Sequence, residues 1–461
     1  MKKNNLHVGL MAFAILLGVS CSDDNGLPSY STNAVQNTEL RNILTQKGYQ
    51  FSEEGKLLLN DLANNTITLD LSGTQISTDA LSELSMFPNL TDVDLSDNGY
   101  SLSFDFSSLP AQITGVDLTG NELYEFPGLV NVKTFDNGEE HVSVLHSLNK
   151  LYLPESAKYN CDEIVAFYQK TPGVDMQMQD ATGKLAKYNT LREIPDKSFR
   201  SLLKKEFSSL FDGNYIDISK RLVDVREAGQ AITTINMDER TWTVDDVDGF
   251  QYIAGNKGYR GTYINLTANK NCEVRYFPIG ATISDIGLKY ISTPNGIDLS
   301  KATTLKYLSV EYNPTIPSLD LSASTSFGQR GDNMEKTGNA VSYMLIGSCE
   351  KLQSITFPQK AVVFRSLNVV NCPALEELDL SQFEAAGSFG LGGLPSCKVT
   401  YLAPKRKLNG SYLFLGVDEE MYKRTETRTF IRTYRDMLRS SGCASGHGVK
   451  SYSWMKDFNS L

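Results

Sequence analysis

Histidine and tryptophan are scarce in this chain, with four and two copies among 461 residues. Beyond the first twenty residues the only histidines are His141, His146 and His447. H-E-x-x-H, G-x-S-x-G and G-K-[ST] are all absent, which removes the usual sequence frames for zinc proteases, α/β-hydrolases and phosphate-binding loops. Gly255, Gly258 and Gly261 recur without the G-x-G spacing of a dinucleotide loop. Cys161 with His146 is the one conceivable nucleophile pair, and no motif surrounds it. Cysteine lacks pattern: beyond Cys21, positions 161, 272, 349, 372, 397 and 443 contain no C-x-x-C pair, which fits neither a zinc site nor a dense disulfide frame. Positive charge is short as well. The formal net charge of -10, or -12 without Lys2 and Lys3, argues against nucleic acid as a partner. The one long apolar run, Val8 to Val19, is too short to span a bilayer as a helix. These absences lead to the expectation of no enzyme, no cofactor and no metal.

What the sequence has is self-similarity. Laid over the segment from Phe364, the segment from Val341 places Met344 on Leu367, Ile346 on Val369, Cys349 on Cys372, Leu352 on Leu375, Ile355 on Leu378 and Phe357 on Leu380, each pair 23 residues apart. An earlier series, Thr66–Ser72, Leu90–Ser96 and Ile113–Thr119, repeats at offsets of 24 and 23. A fixed period of this size predicts coils that bury their apolar edge only against neighbouring coils. Alternation turns Leu69, Leu71, Val93 and Leu95 inward and leaves Asp70 and Asp94 outside. Asn98 and Asn121 fall at the turn after the strand, with Thr74 in that place in the first coil. The later series also beats at 11 residues (Leu299, Val310, Leu321), which predicts two extended segments per coil and no long helix between them.

Between and around these series the pattern changes. Thr38–Lys47 and Ser52–Ala63 read as short helices, the first capped by Thr38 and stopped at Gly48. Asp196 caps an amphipathic helix reaching Phe211, with Gly213 at its end. Ala231–Met237 and Thr241–Val244 alternate as a hairpin. Thr427–Arg439 reads as a last helix, apolar at Phe430, Ile431, Tyr434, Met437 and Leu438 and lined by Arg428, Arg432, Arg435 and Arg439.

The L-x-x-L-x-L pattern with Asn or Cys beyond it, together with Cys349-x-x-Leu352-x-x-Ile355-x-Phe357-Pro358, resembles the 23-residue bacterial leucine-rich repeat class. A charged start, the apolar run and Ser20-Cys21 resemble a lipoprotein signal, with Gly18 where Leu is usual, and the tag Ser22-Asp-Asp-Asn-Gly26 is similar to surface-export signals of gut anaerobes. The resemblance implies an α/β fold: a leucine-rich repeat solenoid of two arrays of short parallel strands, with capping helices and an irregular middle. The expected divisions are a signal peptide (1–20), lipidated Cys21 with a tether (21–37), a first array (38–170), a linker (171–195), an irregular α/β segment (196–285), a second array (286–416) and a capping helix with tail (417–461).

Candidate sites follow from chemistry. Asp70, Asp94 and Asp117 stack at one outward position with Asp92 beside them, and Asp320 and Asp379 take the matching place in the second array. Strands about 4.8 Å apart bring such carboxylates into repulsion unless something lies among them. Either they form a recognition face for a basic or hydroxyl-rich ligand, or each Asp bonds a neighbouring turn. Trp242, Phe250, Tyr252, Tyr259, Tyr263, Tyr276 and Phe277 gather in the irregular middle and are either a glycan-stacking platform, with Trp242, Tyr259 and Tyr263 its first candidates, or core. Cys349 and Cys372 are expected inward as a thiol ladder. The functional expectation is an outer-membrane lipoprotein facing the exterior that binds an extracellular or host protein through the concave strands. Its membrane contact would be through the lipid alone. Glycan capture and a structural envelope role are the alternatives.

Overall fold

The computed structural model describes residues 28–134, 140–236, 241–242, 244–329, 342–405, 408, 411–443 and 446–456. Cys21 and the signal segment lie outside the described residues. The fold is mixed α/β with many short strands and no closed barrel.

Two ladders dominate. The first has six strands: β1 (Thr68–Asp70), β2 (Asp92–Asp94), β3 (Gly115–Asp117), β4 (Lys150–Leu153), β5 (Asp175–Gln179) and β6 (Leu185–Lys187). β1 to β5 pair in parallel and in chain order, and β6 turns back antiparallel on β5. Period-2 alternation drives this arrangement. Leu69, Leu71, Val93, Leu95, Val116, Leu118, Leu151 and Leu153 are buried in one core, and the residues between them face out.

The second sheet has ten strands, nine of them in sequential order: β7 (Ile232–Thr233), β8 (Tyr263–Glu273), β9 (Asp285–Ser292), β10 (Tyr307–Glu311), β11 (Tyr343–Gly347), β12 (Val363–Val370), β13 (Ala385–Gly392), β14 (Leu413–Asp418) and β15 (Leu438–Ser440). The tenth, β16 (Ser451–Tyr452), lies antiparallel on β14. The offset read from the sequence is the register itself: Met344 pairs with Leu367 and Ile346 with Val369. Short second ladders, Ser318–Asp320 with Ser354–Thr356 and Glu377–Asp379 with Lys398–Thr400, supply the other extended segment of each coil.

Turn chemistry holds the coils at a fixed rise. The Asn121 amide, itself buried, donates to Leu95 O (3.0 Å) and Leu118 O (2.9 Å) and accepts from Asn98 N (3.1 Å) and Tyr100 N (3.0 Å). Asn98 repeats the pattern one coil back through Leu71 O (3.0 Å), and Thr74 Oγ1 closes the end by donating to Asn98 Oδ1 (3.2 Å). In the second sheet the fully buried Asn313 accepts from Thr293 N, Thr315 N and Ile316 N. Cys349 and Cys372 follow inward as free thiols, both with no exposure. The Cys372 sulfur beside it, and then burial, push the Cys349 thiol up.

Several elements differ from the sequence expectation. Helix α1 spans Thr38–Gln46, but its cap is Asn37, which accepts from Leu40 N, because the chain is still extended there. Part of the expected tether is a strand, Tyr30–Ala34, paired with Lys56–Leu58. Ser52–Ala63 is therefore not one helix. Its Leu57 is buried as a strand residue, and only Asp61–Asn65 is helical. The expected linker 171–195 carries β5 and β6, since Met176 buries against the first core. Helix α2 (Lys197–Glu206), capped by Asp196, stops before Phe207, whose turn becomes 3₁₀. The hairpin forms as Ile235–Asn236 with Thr241–Trp242. Helix α3 (Thr425–Thr433) starts and ends early, and Leu438 and Arg439 enter β15 because the open edge of β14 offers them a ladder.

Replacing Asn121 with Ala leaves at least three buried backbone groups without partners, each costing about 1–3 kcal/mol. The expected loss is about 3 kcal/mol or more in urea unfolding, against under about 1 kcal/mol for the outward Asp94→Asn. Equal effects would show that the amide stack is dispensable.

Candidate ligand-binding surfaces

The acid ladder of the first sheet is in register: Asp70 pairs with Asp94, and Asp94 with Asp117. Each carboxylate is already engaged at home. Asp94 Oδ1 accepts from Ser96 N (3.0 Å) and Ser96 Oγ (2.6 Å), and Asp117 Oδ1 from Thr119 N (3.0 Å) and Thr119 Oγ1 (2.7 Å). Asp70 does the same with Ser72, and those two bonds hold its carboxyl below the usual range. Asp92 lies over Gly115, where a Cβ would meet its Oδ1 at 2.0 Å, and it accepts from Thr91 Oγ1 (2.7 Å). The ladder is a row of turn locks. Asp320 and Asp379 make the same turn bond, to Ser322 N and Ser381 N, both 2.8 Å. They do so on the short second ladders, not on the large sheet, so they share no face with Asp94 and Asp117. Period alone could not distinguish the two extended segments of a coil.

The aromatic candidates separate. Tyr259 is buried and donates its hydroxyl to Gln230 O (3.0 Å), which makes it core. The Trp242 side chain lies outside the described residues. Tyr263 is 37% exposed on the outward face of β8. Register then brings to it two residues that the sequence reading passed over. Tyr263 pairs with Asp285, Asp285 with Tyr307, and Tyr307 with Tyr343. The Tyr307 and Tyr343 rings stack at 4.7 Å and 6°. The row continues through Ser366 and Ser388 to exposed Phe414. The missed signal was the recurrence of tyrosine at outward positions, 44 and then 36 residues apart, rather than of core side chains.

The C-terminal tail lies across the other half of the same face. It passes over Gly416, where a Cβ would be 2.4 Å from Gly442 O, and over Gly347, where a Cβ would be 2.4 Å from the His447 ring. Val449 likewise fills the space above Gly392, at 2.5 Å from a Cβ there. His447 is almost fully enclosed. Its Nε2 is 3.0 Å from Glu311 Oε2, its Nδ1 is 3.1 Å from Ser348 Oγ, and its ring stacks on Tyr312 at 4.8 Å. The Tyr312 hydroxyl donates to Gly446 O. Hydroxyl, imidazole and carboxylate in a chain have the layout of a nucleophile relay. Here Asn371 Nδ2 also donates to Ser348 Oγ (3.1 Å), and Tyr312 and Gly347 enclose the ring, so the chain works as a latch. The other relay pair is not assembled: His146 is spent on Ile113 O (2.7 Å), and burial pushes the Cys161 thiol up to about 12.

Between the two cores, Tyr276 stacks on Tyr124 at 4.6 Å and Arg275 reaches Glu122 at 3.4 Å. Beside this seam lie two adjoining hollows of about 230 and 220 Å³, which share Glu125, Tyr276, Phe277 and Asp298. Among the described residues no group of three or more His, Cys, Asp or Glu is placed to hold a metal, and no helix is long and apolar enough to cross a membrane. No family model matches the chain, and no curated protein matches it.

The Glu311 carboxyl is held below its ordinary value of 4.5, first by the His447 hydrogen bond and also by Lys289. A lowered folded value means that the bond's contribution is complete above the unfolded value and is lost as pH falls through the folded one. The tail should therefore protect its amides from exchange at neutral pH and lose that protection first on acidification below about 4.5. Glu311→Gln should release it at neutral pH. Unchanged exchange in that variant would sink the latch.

Proposed function

We propose that this chain is a non-catalytic cell-surface lipoprotein, lipidated at Cys21 and facing outward from the outer membrane. Its body is a leucine-rich repeat solenoid of two arrays, and it binds an extracellular or host protein. The repeat reading is supported by the 23-residue offset that recurs as strand register and by the asparagine stack at the turns. The anchor reading rests on the sequence around Cys21. The acidic balance argues against nucleic acid as the partner.

One observation carries the binding reading. The outward face of the large sheet presents Tyr263, Tyr307, Tyr343 and Phe414 on parallel strands, with Asp285 and two serines between them. Tyrosines give broad contact area at small entropic cost and are enriched among the residues that dominate protein interfaces. The turn-locked acid ladder is set aside as the main contact, and the tail limits the ligand to the half of the face it leaves open.

The full chain in detergent, screened against extracellular proteins, should find a partner whose binding drops at least about tenfold in Tyr307→Ala with Tyr343→Ala. Asp94→Asn with Asp117→Asn should leave it unchanged. The reverse pattern would move the site to the first sheet, and silence throughout would favour the envelope role.

A further inference from the structure

The hollow between the two cores has features that the sheet face lacks. Its smaller lobe, about 220 Å³, has the volume of about seven waters and is matched by a single small ring rather than a peptide. Leu102 stands in it half exposed and at a φ of 66°, a backbone conformation that a leucine rarely adopts. Such outliers collect where a ligand is held. Phe277 and Tyr276 complete the apolar wall.

The polar wall is one of acceptors. Glu125, Asp298 and Asp320 line the lobe. Asp298 and Asp320 each give one oxygen to a turn amide, Ser300 N and Ser322 N, both at 2.8 Å, and keep the second. Arg275, the cation of the lobe, is shared between Glu122 and Glu273. Asn295 donates to Glu122 Oε1 (3.0 Å) and Arg275 O (3.1 Å), which leaves its carbonyl as a further acceptor. Anionic ligands are repelled by this wall. Neutral or cationic ligands are left, and beside the apolar wall of Leu102 and Phe277 the acceptors match one that carries several hydrogen-bond donors and a C–H face on a small ring.

We infer that the inter-core hollow is a saccharide site, in which the Glu125, Asp298 and Asp320 carboxylates accept from ring hydroxyls while Leu102 and Phe277 meet the C–H face. The second lobe, about 230 Å³ and reached past Tyr276, takes an adjoining ring. The site is separate from the sheet face and does not rest on the protein-binding reading. Of the positions singled out in the sequence, this site uses Asp320, Tyr276 and Phe277.

Saturation-transfer NMR on the full chain tests it with glucose, galactose, mannose and N-acetylglucosamine at about 20 mM each, the range for weak single-ring binding. At least one should give a signal, reduced about fivefold or more in Glu125→Gln with Asp298→Asn, two changes that keep an acceptor at each position. Leu102→Gly, which relieves the backbone and removes the apolar wall, should also reduce it without lowering the urea midpoint. Tyr307→Ala with Tyr343→Ala should not change it, which keeps this outcome distinct from that of the sheet face. No signal from any of the four sugars overturns the inference, as does a signal that survives both the carboxylate and the leucine variants.

Discussion

Apart from one antiparallel strand in each ladder, every strand passes its backbone donors and acceptors to the next in parallel register, and the rest of the molecule keeps that register from slipping. A slip of one residue would turn every core side chain outward. Leu69 and Val93, or Met344 and Leu367, oppose that slip by burial. The asparagine stack opposes it by geometry, because Asn121 can satisfy Leu95, Leu118, Asn98 and Tyr100 together only when the coils sit one rise apart. Hydrophobic burial is non-directional. The buried amide supplies the direction.

The outward side inherits its order from the same register. A sheet fixed to one residue places every outward side chain in a column, so the acids at 70, 94 and 117 and the tyrosines at 263, 307 and 343 are equally products of the core. What separates them is engagement. The acids close onto their own Ser and Thr turns, while the tyrosines meet one another and solvent. Glycine marks a third kind of outward position. At Gly347, Gly392 and Gly416 no side chain of the sheet itself rises, and the tail occupies the space.

The parts of the fold readable from sequence were those written in a period. Core positions, the inward thiols and the Asn turns follow from a 23-residue offset, because each is repeated and each copy corroborates the others. Elements that occur once were harder. Lys56–Leu58 and Leu438–Ser440 carry helix-compatible residues and became strands because a partner strand lay within reach, Tyr30–Ala34 for the first and the open edge of β14 for the second. Asp320 and Asp379 carry the same tripeptide as Asp94, yet lie on another ladder, since a motif read in one dimension does not say which side of the coil it occupies. In sequence Tyr276 is one aromatic among several in the irregular middle. Its place in a hollow depends on the meeting of two cores, which no local pattern encodes.

Each ladder has one strand near its end that runs against the others, and the molecule meets its copies with those ends. A parallel ladder built of near-identical coils offers at each end a template on which the first coil of a second molecule could stack, and repetition would turn monomers into a filament. The first ladder closes with Leu185–Lys187 antiparallel, a three-residue strand flanked by Lys184. The second starts from the two-residue Ile232–Thr233, and near its far end Ser451–Tyr452 runs back against Leu413–Asp418. A reversed or very short strand presents its hydrogen-bonding groups out of phase with an incoming parallel coil. These few residues deny a second copy the long parallel edge on which its own strands could pair.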